Sequence, residues 1–230
     1  ASRTVTLDVP VTVGYLTMED LTTVNADWIL IGSNALTMDT GSAANATLTV
    51  SSRTLNRIDT DMVLNSNVTL TVGQGVGLTI NGDTSGAGGF LNTGRGAIDL
   101  YGNNTFLGDF TTYTADYASR LGIGSDTALG QGTVHLRGKP VEALGAARSL
   151  ANSLSLEGDF VVQGSYNLAF AGAATLTGNR TITVNNDTFA LAGGVGENAA
   201  GRALAKAGAG WLVIGGTSSY SGATTISAGV

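Results

Sequence analysis

The chain has no cysteine. Zinc fingers, thiolate-held iron–sulfur clusters and thiol nucleophiles are therefore excluded. So is a disulfide framework, which small secreted domains often need and a long repetitive stack does not. An export route that threads the chain unfolded would also favour this absence. Proline occurs only twice, which excludes collagen despite the 34 glycines. Charged residues make up 12%, about half the usual share, and the net charge is −6. Proteins that track phosphates are basic, so neither nucleic acid nor an anionic membrane surface is an expected partner. No apolar run approaches the ~20 residues of a membrane-spanning helix. No secretory leader is visible, and the opening Ala1-Ser2-Arg3-Thr4 fits a mature, processed start.

What is there is alternation. Val5, Leu7, Val9, Val11 and Val13 recur every second residue from Thr4 to Val13. The same period returns at 46–50, 68–72, 78–80, 98–100, 134–136, 154–156 and 181–184. Each stretch reads as a strand with one face in and one out. Turn clusters such as Gly73-Gln74-Gly75, Asn81-Gly82-Asp83 and Asn185-Asn186-Asp187 separate them. Helical spacing occurs once, at Val141, Leu144, Ala147, Leu150 and Leu154, and Gly145 interrupts it. Many short strands without long linkers suit a sandwich, a barrel or a β-helix alike. Internal repetition decides between them. Gly94, Gly96, Gly102 and Gly108 align with Gly208, Gly210, Gly216 and Gly222, and Ile98, Leu100 and Phe106 with Leu212, Ile214 and Tyr220. Related modules thus span 88–138 and 202–230 of a single domain covering 1–230, and such stacked units bury their inner faces only against neighbours.

Gly-x-Gly, a short alternating strand, Gly, Tyr or Phe, Gly and a Thr/Ser strand together resemble the autotransporter-associated β-strand repeat. Residues 208–230 carry it closely, and 88–138, with Gly124 to Gly130, more loosely. Val5 to Met18 resembles the start of such passenger modules. The resemblance implies an all-β, right-handed parallel β-helix on the surface of a Gram-negative-type bacterium. At 20–25 residues per rung the chain makes about ten rungs, a rod about 50 Å long. The motif speaks for architecture, not for activity.

The ends invite assembly, because the last module stops mid-motif at Val230 and no polar cap is evident at either end. Either the chain is a segment of a longer rod, or copies stack head to tail into a filament. Val5, Leu7, Val9, Val11 and Val13 at one end, and Trp211, Leu212, Ile214, Tyr220 and Ile226 at the other, are the candidate assembly residues. Tyr101, Phe110, Tyr113 and Tyr117 form a candidate glycan- or matrix-binding loop, although aromatics more often pack over glycine turns. Catalytic candidates are thin. His135, the one histidine, should point outward without aimed partners. Asp59 and Asp61 share a face about 7 Å apart but have Arg53 and Arg57 to pair with. The charges Arg120, Arg137, Lys139, Arg148 and Arg180 form no block of the kind a polysaccharide lyase needs. The five Asn-x-Ser/Thr sites at Asn45, Asn67, Asn103, Asn179 and Asn186 are expected by chance in so Asn- and Thr-rich a chain. The expectation is a non-enzymatic, extracellular structural β-helix without cofactor or metal: a filament or the shaft of an adhesin. A glycan-binding module comes second and a polysaccharide-cleaving enzyme third.

Overall fold

A computed structural model describes residues 2–20, 26–52, 55–113 and 119–230. Those residues form 28 strands and no helix. Every strand pairing is parallel, and partners lie about 20–32 residues apart along the chain. The result is a β-solenoid of about ten turns with three faces.

The first face is an eleven-stranded sheet running from Ser2–Leu7 to Thr224–Ile226. The third is a nine-stranded sheet from Tyr15–Met18 to Val195–Glu197. The second is split into two four-stranded sheets, one from Val11–Val13 to Thr84–Ser85 and one from Arg148–Leu150 to Trp211–Ile214. Alternation sends every second side chain inward, and the register stacks these into columns. Leu30, Ile58, Ile80, Leu100, Ile123 and Ala143 form one on the first face. Val68, Phe90, Phe110, Val134, Leu154 and Ala174 form another on the third. All are buried, and one apolar core runs from Leu7 to Leu204.

The split in the second face has a local cause. At Asn103 to Leu107 and again at Ser125 to Gln131 the second face has no regular strand, and Phe106 and Leu129 fill the interior instead of strand residues. Phe106 meets Phe90 edge-on at 5.5 Å between ring centres. The backbone ladder continues there without a regular strand, through Thr105 N–H to Thr84 O at 2.8 Å and Gln131 N–H to Phe106 O at 2.9 Å. Asn104 ties three rungs by accepting from Thr84 N–H and donating to Ala128 O, each at 2.7 Å. Corners also stack backbone on backbone. A Cβ on Gly82 would lie 2.0 Å from Thr60 O, and one on Gly102 would lie 2.3 Å from Gly82 O.

Three expectations change. Val141–Leu154 holds strands at Val141–Ala143, Arg148–Leu150 and Leu154–Leu156 and no helix; Gly145 takes φ 74 and turns a corner. Thr4 to Val13 is two strands on two faces, bent at Asp8 to Pro10. The glycine-matched strands do not occupy one station, since Ala97–Leu100 lies on the first face and Trp211–Ile214 on the second.

Candidate functional site

The outer side of the third face carries the richest chemistry. Outward positions follow the same register as the core, so residues some 20 apart become neighbours. His135 sits between two carboxylates, with Nδ1 2.5 Å from Glu157 Oε1 and Nε2 3.3 Å from Asp109 Oδ2. Both ring nitrogens thus face carboxylate oxygens. Arg137 Nε donates to Glu157 Oε2 at 2.6 Å, and Ser155 Oγ to Glu157 Oε1 at 3.1 Å. Burial alone would raise the Glu157 carboxyl. Hydrogen bonds from His135, Arg137 and Ser155, with the Arg137 charge, hold it below the usual range. Ser155 donates to Glu157, not toward His135, so the cluster lacks the nucleophile–base contact of a triad. It fastens three successive rungs. The expectation that His135 has no aimed partners is thus corrected. Its partners are invisible until the rung length is known.

On the first face, Arg120 bonds Asp99 through Nε at 3.1 Å and Nη2 at 2.8 Å, with Glu142 3.9 Å away. The Asp99 hydrogen bond raises the already high guanidinium pKa. Asp59 accepts from Arg57 Nε at 2.7 Å and Asn81 Nδ2 at 2.6 Å, while Asp61 accepts Asp83 N–H at 2.9 Å. Both aspartates serve their own and neighbouring rungs; Arg53 lies outside the described residues. Among the described residues no group of three or more acidic or histidine side chains could hold a metal ion.

Two lysines are buried. Lys139 Nζ donates to Gly96 O at 2.5 Å, and burial pushes it down to about 8 against the opposing pull of Asp99. Lys206 Nζ holds the carbonyls of Ala207, Gly208 and Ala228 at 2.8, 2.7 and 2.9 Å, and burial lowers it too. Counting by twos from Val141 and Leu204 places both on the inward side, a signal the sequence did contain.

The aromatic candidates do not form one site. Phe110 is in the core at 0% exposure, 5.9 Å from Phe90, because its strand position points inward; it cannot meet a ligand. Tyr101 is half-exposed and lies over Gly124 of the next rung, where a Cβ would come within 2.4 Å of its ring. Tyr113 is half-buried at the end of a third-face strand. Tyr117 lies outside the described residues.

The assembly candidates divide by direction. Val5, Val11 and Val13 stand in inward columns at the first rung, paired with Leu30, Leu36 and Met38. Leu7 is already buried, whereas Val9 sits in the bend, 58% exposed. Val5, Leu16, Met18, Trp28 and Leu30 line an apolar recess of about 130 Å³ there, with Arg3 5.4 Å above the Trp28 ring. At the other end Leu212, Ile214 and Ile226 continue the columns of Phe189, Leu191 and Lys206. Tyr220 packs half-buried beside them and bonds Thr224 at 2.6 Å. Trp211 faces outward beside Thr188 and not along the axis.

No helix among the described residues is long and apolar enough to cross a membrane. Residues 204–230 match a family model described as Passenger-associated-transport-repeat. Over 189 residues, 80% of this chain, the sequence is 29% identical to the "Adhesin BmaC autotransporter" of Brucella suis biovar 1 (strain 1330). The chain spans 4% of that protein's length. No solved structure matches it significantly. Both findings agree with the autotransporter passenger resemblance seen in the sequence.

Proposed function

We propose that this chain is a non-catalytic, extracellular stretch of shaft in an adhesin-type passenger on a Gram-negative-type cell surface. The observation that carries the reading is the unbroken core from Leu7 to Leu204 behind three parallel faces. Together with the passenger-repeat match it favours a spacer over an enzyme, because the polar clusters face one another and tie rungs. To test it, cells displaying the full-length protein are compared with cells lacking these 230 residues. Adherence to matrix-coated surfaces should fall while display is unchanged. Equal adherence would sink the reading.

A second reading concerns assembly. Ile214 and Ile226 continue inward columns toward the C-terminal side of the stack, as Val5 and Leu16 do toward the other. Apolar columns beside open strand edges accept another rung of like pattern. A second copy stacked head to tail would make an open-ended filament. Electron microscopy across concentrations decides it: ordered filaments support the stacking, and single rods at every concentration refute it.

A further inference from the structure

One column of outward residues is interrupted. Asn45, Asn67, Gly89, Asp109 and Thr133 each precede a third-face strand, and the backbone bonds Ala46 N–H to Asn67 O, Val68 N–H to Gly89 O, Phe90 N–H to Asp109 O and Phe110 N–H to Thr133 O place them one above another. Gly89 contributes no side chain, and none fits, because a Cβ there would lie 2.2 Å from Asp109 O. The missing side chain leaves a groove of about 380 Å³ between Asn67 and Asp109, walls that stand two rungs or about 10 Å apart. Its volume falls in the range of small-ligand sites, about 300–1,000 Å³.

The walls differ in chemistry. Asn67 Oδ1 is occupied by Gly89 N–H at 2.9 Å, which leaves its amide nitrogen as the group's donor. Asp109 Oδ1 takes Thr133 N–H at 2.9 Å and Oδ2 stands 3.3 Å from His135. Each oxygen keeps a further lone pair, so the carboxylate remains an acceptor. The floor is the half-buried Leu91, with Thr111 beside it in the next rung. A donor wall, a fixed anionic acceptor wall, a hydroxyl and an apolar floor match a pyranose ring, which offers hydroxyls at its edge and a C–H face below. The carboxylate and the net charge of −6 turn away uronates and other anionic sugars.

We propose that this groove binds one ring of a neutral glycan. The proposal rests on the adhesin reading and names its ligand class. The test is saturation-transfer NMR on the purified chain with maltotriose, cellotriose, chitotriose and, as the anionic control, trigalacturonate. At least one neutral trisaccharide should show transfer, and trigalacturonate none. Asp109→Asn keeps the shape and should weaken binding about tenfold, the loss of a charge-assisted bond. Leu91→Lys, on the half-exposed floor, should abolish it while the circular dichroism melt stays in place. No transfer from any neutral trisaccharide, or equal binding by Leu91→Lys, overturns the site. The two readings separate on cells. If Leu91→Lys cells adhere as well as the parent, the groove falls and the adhesin stands. If deletion of the whole stretch leaves adherence intact while the purified chain takes sugar at Leu91, the adhesin reading falls and the groove stands.

Discussion

Along the third face the two halves of the stack join their rungs by different means. From Thr17 through Thr49 and Thr71 to Thr93 the outward file is threonine, rung after rung, and the Thr71 and Thr93 hydroxyls bond at 2.8 Å. From Asp109 onward the same side of the sheet carries Asp109, His135, Arg137, Ser155 and Glu157 in one ionic network. Behind both, the interior is of one kind: Leu48 and Leu70 in the first half, Leu136 and Leu156 in the second, all 0% exposed. The inner columns set the backbone, and the outer ones are free to be neutral or charged without disturbing it. The neutral half should be indifferent to pH and salt, and the charged half should not.

Breaking the shared interior has the largest expected effect. Leu48→Ala and Leu136→Ala should each cost about 2–5 kcal/mol, read as similar falls in the urea midpoint. A small loss in one half alone would mean that the core is not uniform.

The buried amine of Lys139 should sharpen the contrast next. Its folded pKa, about 8, lies below the ordinary 10.5, so between these values the unfolded chain holds a proton that the folded chain lacks. Stability contributed by this group therefore rises with pH across that window, by at most about 1.4 kcal/mol per unit. Lys139→Met should lack the rise and exceed the parent near neutral pH, measured as the parent-minus-variant difference at each pH. A flat difference would refute it.

Glu157→Gln comes third, at about 1–2 kcal/mol. The folded carboxyl is depressed, so its contribution is complete above the unfolded value near 4.5 and is lost as pH falls through the lower folded value. The gap between parent and variant should close in acid and narrow in high salt. Thr71→Val should be the mildest, about 0.5–1 kcal/mol, and the same at every pH. A pH-dependent loss there would erase the distinction between the halves.

The fold was legible because alternation is local. Val68 to Val72 shows its inward and outward sides within five residues, and glycine rhythm pointed to stacking. What was hidden depends on rung length, and rung length varies in the corners. His135 meets Asp109 and Glu157 only because the turns between them are 26 and 22 residues long. Composition gave no hint of either spacing. The glycine match misled for the same reason: equal rhythm around Ile98 and Leu212 does not fix which face a strand joins. The effect of Gly89 as a gap appears only when Asn67 and Asp109 stand on either side of it.

The hydrogen bonds between rungs all run along the axis of the stack, whereas the covalent chain runs around it. Tension applied at the two ends therefore loads one rung's ladder at a time, like a zipper. Each released turn of about 22 residues exchanges a rise of about 5 Å for up to about 75 Å of extended chain. A shaft built this way lengthens in steps under load and spares its attachment points the full pull. A single-molecule force trace should show that as a series of drops, roughly one per rung, each spaced by the length of the rung released.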